Sequence, residues 1–173
     1  MTAALDSAMR TQGLDANAGF RLRALRVEDA GAAAKVIREA FAAQSVATDP
    51  PSSALRETAT SVAAHLAEGG GAALEAGVDL VGLVLWAVRD NGLYLGRLAV
   101  LPAWRGRGAA RALIGAGEAE ARRAGLPRLH IRVRIALDEN RRLFSACGFT
   151  ATEQGAHPGY AEPTFVVMEK ALR

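Results

Sequence analysis

The most constraining feature of this chain is the stretch Leu93 to Ala110, in which a strand pattern, a glycine loop and a helix start follow one another without interruption. Leu93-Tyr-Leu-Gly-Arg-Leu-Ala-Val100 reads as a strand and Pro102 stops it. Arg105-Gly106-Arg107-Gly108 then opens into an Ala- and Leu-rich segment, Ala109–Arg123, whose pattern predicts a helix. Gly106 and Gly108 lack a Cβ, so the backbone turns tightly and a ligand can approach the amides. The first N–H groups of a helix have no intrahelical partner and carry the positive end of its dipole. A strand feeding such a loop at a helix start is an anion cradle, with phosphate as the natural guest.

The rest of the chain supplies elements to frame that stretch. Phe20 to Arg26 suggests a first strand, and Val27-Glu28-Asp29 a helix start with acids at its positive end; Val36, Ile37, Ala40 and Phe41 then follow at helical spacing. Asp49-Pro50-Pro51 enforces a turn, after which Ser52 or Ser53 can cap a second helix through Leu55, Ala59, Val62, Ala63 and Leu66, ended by Gly69-Gly70-Gly71. Ala72–Glu75 and Leu80–Arg89 predict a hairpin across Ala76-Gly77, its second strand apolar enough to be central in a sheet. Asp90-Asn91-Gly92 turns the chain into the Leu93 strand. Beyond the loop helix come a strand over Leu129–Val133, a helix over Leu137–Cys147 with Asp138 as candidate cap, and a strand from Phe149 to Thr152. A loop over Gly155–Pro163 precedes the last strand, Thr164–Lys170. The order is strand, two helices, three strands, helix, strand, helix, two strands, which describes a layered α/β domain over residues 20–173, with residues 1–19 as a flexible extension.

Composition narrows the function. The 173 residues suit one domain, and no apolar run approaches the ~18 residues of a membrane span. Asp6, Arg10, Gln12 and Asp15 interrupt the N-terminus, so a soluble, unexported protein is expected, and the single cysteine, Cys147, suits a reducing cytoplasm. With only three histidines besides, no metal site is expected. The net charge of +3 fits an anionic small ligand. No aromatic residues interleave the arginines between Arg122 and Arg142, so no nucleic-acid partner is expected. Exposed strands would permit a homodimer, although no specific signal encodes one.

Two segments together resemble a known family, the GCN5-related N-acetyltransferases. Arg105-Gly106-Arg107-Gly108-Ala109-Ala110 is similar to the family's Arg/Gln-x-x-Gly-x-Gly/Ala pyrophosphate loop. Asn140-Arg141-Arg142-Leu143-Phe144-Ser145-Ala146-Cys147-Gly148-Phe149 resembles its Asn-x-x-x-Tyr-x-x-x-Gly-Phe segment. Other phosphate loops fit less well: the Lys-Ser/Thr of a P-loop is missing, and Arg111 stands where a dinucleotide fingerprint closes on glycine or alanine. The resemblance implies a GNAT-like acyl-CoA acyltransferase fold, a mixed, largely antiparallel sheet of about six to seven strands flanked by helices. It implies acetyl-CoA as cosubstrate, a small-molecule or peptide amine as acceptor, and direct transfer in a ternary complex. Leu98, Ala99 and Val100 would then meet the pantetheine arm and thioester, with the backbone N–H of Val100 as oxyanion donor. Arg105, Gly106, Arg107, Gly108, Ala109 and Ala110 would hold the pyrophosphate, and Asn140 would hydrogen-bond the cofactor arm, with Phe144 also on the cofactor side; the alternative for Asn140 is a helix-start residue that satisfies its own backbone.

The sequence also departs from the family pattern. Phe144 stands where many members carry a tyrosine that protonates the leaving thiolate, so Tyr160 is a candidate donor, its alternative role being to pack over the acceptor pocket. The Leu93–Val100 strand contains no acid; the base is a water chain or one of Glu39, Glu162, His130 and His157. Arg97 is a candidate for binding an acceptor carboxylate or a solvated strand residue, and Cys147 is a nucleophile candidate or a packing residue. These departures keep open a non-catalytic acyl-CoA sensor, and a longer acyl donor or a hydroxyl acceptor remain as enzyme alternatives.

Overall fold

The protein is described by a computed structural model covering residues 19–173. The expected extension lies, Gly19 aside, outside the described residues. Strands β1 (Arg21–Ala24), β2 (Gly70–Ala76), β3 (Asp79–Arg89), β4 (Gly92–Val100), β5 (Arg128–Arg134), β6 (Thr150–Gly155) and β7 (Phe165–Ala171) form one sheet in the order β1-β2-β3-β4-β5-β7-β6. Every neighbouring pair is antiparallel except β4 and β5. Helices α1 (Ala30–Ala42) and α2 (Ala59–Glu68) cover one face; α3 (Ala109–Arg123) and α4 (Asp138–Ala146) belong to the other. The mixed, largely antiparallel sheet and its flanking helices are therefore as expected.

Two apolar layers hold the sheet. On the α3 side, Leu93, Leu95, Leu113, Ile114, Leu129 and Ile131 are buried together. On the other side Ala33, Ala34 and Ala40 of α1 are small enough to bring that helix close to Leu83, Leu85 and Ala99. Burying one side chain such as Leu113 or Ile37 contributes roughly 1.5–3 kcal/mol, and both are almost wholly excluded from water. β3 is buried from Val81 to Trp86, as a strand with neighbours on both sides must be.

Two local expectations are corrected. Gly70 and Gly71 belong to β2 and do not form a helix-ending loop. They are glycine because a Cβ at 70 would lie 2.7 Å from Trp86 Nε1 and one at 71 would lie 2.4 Å from the Val84 carbonyl oxygen. The second helix starts later than expected: Ser52 caps only a short 3-10 turn, Ser53–Arg56, whereas Thr58 caps α2 through a reciprocal box with Ser61.

β4 is irregular where it matters most. It pairs Gly96 with Leu85 but Ala99 with Leu83, so one extra residue is accommodated on β4. Arg97 lies in this bulge at φ +54, a left-handed conformation that costs a non-glycine residue about 1–2 kcal/mol. The bulge reverses the alternation of faces. Leu93 and Leu95 pack on the α3 side and so, after the bulge, do Leu98 and Val100, while Ala99 packs on the α1 side.

Candidate active site

The site begins where β4 and β5 part. Their parallel pairing is limited to Leu93 with Leu129 and Tyr94 with His130. Beyond Tyr94 the strands diverge and leave backbone groups facing a gap. Val100 pairs with Gly82, and the Leu101 N–H donates to Val81 O at 2.9 Å. In an antiparallel ladder this places Val100 at a position not hydrogen-bonded to β3, so its own N–H and C=O point away from β3, toward the gap.

A cavity of about 730 Å³ adjoins this edge, within the range of small-molecule sites. Its walls are the end of α1 with the following turn, Leu98 to Val100 of β4, the glycine loop with the start of α3, and the first turns of α4. Of the residues singled out in the sequence, Leu98, Ala99, Val100, Arg105, Gly106, Gly108, Ala109, Ala110, Asn140 and Phe144 all line it. Arg107 and Tyr160 do not.

The loop is shaped as a cradle. Gly106 and Gly108 have φ of +73 and +79, and a Cβ on either would meet no protein atom within 4 Å. Any side chain there would project into open space at the cavity wall. The first helical bond runs from Ala112 N–H to Gly108 O at 3.0 Å, leaving the amides of Ala109, Ala110 and Arg111 without an intrahelical acceptor. The arginine side chains are placed differently from their expected part. Arg105 donates from Nε to Val100 O at 3.1 Å and from Nη2 to Ala40 O at 3.0 Å, tying the loop to β4 and α1. Arg107 stacks its guanidinium 4.7 Å over the Trp104 ring. The backbone amides are thus the donors that face the cradle.

On the opposite wall Phe144 is buried and meets Phe149 edge-on at 5.6 Å, which makes it a core residue whose one exposed edge reaches the cavity. Asn140 is half-buried, and its side chain makes no hydrogen bond among the described residues. Cys147 is half-buried at the end of α4 and does not line the cavity.

None of the candidate proton-transfer groups lines the cavity. Tyr160 donates its hydroxyl to Asp49 Oδ1 at 2.5 Å, a bond that pushes the phenol pKa up and joins the late loop to the segment between α1 and α2. His130 is buried where β4 and β5 are still paired, its Nε2 3.1 Å from Arg89 O, and burial pushes its pKa down. His157 lies edge-on to Phe165 with Nδ1 2.5 Å from Thr164 Oγ1; burial and then the nearby Arg134 and Arg132 lower its pKa. Glu39 is exposed on α1, 4.0 Å from Lys35, and Glu162 is exposed in the late loop. Among the described residues no group of three or more His, Cys, Asp or Glu could hold a metal ion, and no helix is long and apolar enough to cross a membrane.

One buried charge escaped the sequence reading. Glu57, just before α2, accepts from Arg97 Nε at 2.6 Å, and Arg97 Nη2 donates to Ser53 Oγ at 2.9 Å. Although burial raises the Glu57 pKa, the bonds from Ser61 and Arg97 outweigh it and hold the carboxyl below its ordinary value. Arg97 is therefore occupied and not presented to an acceptor. The only sequence signal was an arginine at an otherwise apolar strand position.

The geometry is thus a mixed sheet that parts between two parallel strands, with a cavity beside the parting and a glycine cradle at the head of the following helix. Residues 35–149 match the Acetyltransferase (GNAT) family, and the chain belongs to it. No curated protein matched the sequence. The fold is similar to that of a PaiA N-acetyltransferase from Thermoplasma acidophilum in complex with coenzyme A (TM-score 0.75, 17% identity, covering 88% of this chain and 99% of that one). It is similar too to the ribosomal-protein-S18-alanine N-acetyltransferase from Escherichia coli (0.69, 18%, 88% and 93%). A third similar structure is yncA, a putative acetyltransferase from Salmonella typhimurium with its cofactor acetyl-CoA (0.66, 20%, 90% and 95%).

Proposed function

We propose that the protein is an acetyl-CoA-dependent N-acetyltransferase that acetylates a primary amine of a small molecule or peptide by direct attack in a ternary complex. The observation that carries this reading is the Val100 N–H, turned into the β4–β5 gap beside a cavity whose far wall is the Gly106–Gly108 cradle. Acetyl-CoA fits this donor set. Its pyrophosphate matches free helix amides and Cβ-free loop positions, and its amide-bearing arm matches two unpaired strand edges.

When bound, acetyl-CoA supplies an activated acyl thioester; this chain's residues hold and polarise it. The amides of Ala109, Ala110 and Arg111 anchor the anionic end, and Arg105 braces the loop through Val100 O and Ala40 O. The Val100 N–H is the donor for the thioester oxygen as it gains negative charge, a role supported by its direction away from β3. The acceptor nitrogen forms the new C–N bond, the C–S bond breaks, and the nitrogen's proton balances the departing thiolate. With Phe144 apolar and a free thiol pKa near ~8.5, the thiolate leaves without a tyrosine donor. The acceptor amine, with a pKa near ~10, must arrive deprotonated or lose its proton to water.

Thiol release from acetyl-CoA across an amine panel tests this, with product mass confirming the acetylated nitrogen. Tight acetyl-CoA binding with no thiol release against any amine would replace the enzyme by a sensor. That second reading is favoured by Phe144 and by the absence of Glu39, Glu162, His130 and His157 from the cavity wall.

A further inference from the structure

Glu57 is the one buried carboxylate among the described residues, 5% exposed, and the reaction outlined above makes no use of it. It is held from every side. One carboxylate oxygen takes the Arg97 Nε–H at 2.6 Å, the other takes the Ser61 hydroxyl, and His65 Nε2 stands 4.0 Å away. Its backbone carbonyl accepts from Arg38 Nη1 at 2.5 Å, so α1 also fixes the segment. Arg97 in turn spans Glu57 and Ser53, clamping β4 to the chain between α1 and α2.

The clamp grips the extra residue of β4. Arg97 sits at φ +54, where glycine would be the unstrained choice. A strained residue persists only where its surroundings over-determine it. A buried ion pair is seldom a net source of stability, and its best-attested use is to fix register. Register is what is at stake here. Continuing the pairing of Leu85 with Gly96 without the extra residue would set Val100 opposite Val81 instead of Gly82, because the paired numbers would keep summing to 181. A slip of one residue sends every following side chain to the opposite face.

We propose that Arg97, locked by Glu57 and Ser53, is a positioning residue that fixes the β4 bulge and thereby aims the Val100 N–H into the gap. The inference rests on the reading of that gap as the thioester site. Arg97 itself does not line the cavity, its guanidinium being held by Glu57 and Ser53. Its effect reaches the reaction through Leu98 and Ala99, the two strand residues that separate it from the Val100 donor.

The test uses the full chain with Arg97→Gly, which accepts the backbone conformation but removes the clamp, and Arg97→Lys, which restores one charged donor toward Glu57. Three quantities are read: acetyl-CoA affinity by calorimetry, the infrared carbonyl band of bound acetyl-CoA carrying a ¹³C-labelled thioester carbonyl, and kcat with an accepted amine. Wild type is expected to shift the carbonyl band to lower frequency than free acetyl-CoA. Arg97→Gly should bind within about threefold of wild type, because the cradle amides belong to α3 and Arg105 keeps its anchor on Ala40 O even where its bond to Val100 O is lost. Its band should return toward the free position, and kcat should fall by about tenfold or more with KM for acetyl-CoA nearly unchanged. Arg97→Lys should recover part of both. A wild-type band and wild-type kcat in Arg97→Gly would overturn the positioning role. Should that variant not fold, Glu57→Gln is read in the same way, with the same two outcomes. A wild-type complex with no carbonyl shift would instead overturn the Val100 donor itself, and with it the reading on which this inference depends.

Discussion

Replacing Gly108 separates what the cradle does for the fold from what it does for a ligand. Gly108 is the N-cap of α3 at φ +79, and a Cβ there meets no protein atom within 4 Å. Alanine therefore suffers no clash, only the left-handed backbone cost of about 1–2 kcal/mol. For a chain of this size that lowers Tm by roughly 2–8 °C. Aspartate tolerates the left-handed region better, and its carboxylate beside the unsatisfied amides of α3 returns about 0.3–1 kcal/mol. Gly108→Asp should accordingly melt no lower than Gly108→Ala. For an anion in the cradle the order reverses. A carboxylate about 5 Å from one phosphate charge costs ~3 kcal/mol at an effective dielectric of ~20 and ~1 kcal/mol if fully water-screened. Coenzyme A should then bind roughly 5- to 150-fold more weakly to Gly108→Asp, with the larger loss at low salt. Calorimetric titration with coenzyme A at two salt concentrations, beside melting of the unliganded variants, reads both orders. Wild-type affinity in Gly108→Asp, or affinity falling only in step with Tm across the two variants, would refute the cradle assignment.

Gly69→Ala would drive a Cβ to 2.0 Å from the Trp86 carbonyl oxygen; overpacking against backbone costs about 1–3 kcal/mol and should lower the urea midpoint without changing the m-value. His130 and His157 both have folded pKa values pushed below the ordinary 6.5 by burial. The unfolded chain binds more protons between the folded and ordinary values, so stability rises with pH there and is lost on acidification below about 6.5. Melting at a series of pH values should show that slope, and the double variant His130→Phe/His157→Phe should flatten it. The carboxyls of Asp29, Glu57 and Glu75 are held below their ordinary values. They withdraw stability only in a lower window, as pH falls below roughly 4.5. Tyr160→Phe breaks the bond to Asp49, which lies away from the cradle. Coenzyme A affinity should stay within about twofold while KM for the acceptor changes; a comparable loss of coenzyme A affinity would place Tyr160 on the donor side.

Much of this architecture was legible because it rests on local chemistry. The glycine loop before α3, the Asp90-Asn91-Gly92 turn and the apolar run of β3 each announce their element through backbone permissiveness or periodicity. The donor-side wall was legible for the same reason, since Leu98 to Ala110 is continuous in sequence. What escaped is non-local. The glycines at 69–71 resemble a loop until residues of the neighbouring strand, Trp86 against Gly69 and Gly70 and Val84 against Gly71, are seen to occupy the space of their missing side chains. The Arg97–Glu57 pair joins residues 40 apart, and a bulge at an arginine carries no glycine to mark it. Arg105 reads as an anion ligand because its charge is visible in sequence, whereas the two carbonyls that occupy it, on β4 and at the end of α1, are not. Tyr160 meets Asp49 across 111 residues, a distance no spacing rule spans.

The parting of β4 and β5 has a thermodynamic consequence of its own. The sheet contains an internal seam beyond Tyr94, where β4 and β5 no longer pair with each other. A molecule that enters the seam binds the folded chain and not the unfolded one, so it raises stability by mass action: about 2.7 kcal/mol at 100 times its Kd. For a chain of this length that is roughly 5–10 °C of melting temperature. A ligand of the seam would in this sense complete the sheet, and thermal melting becomes a means of screening acyl donors before any acceptor is known.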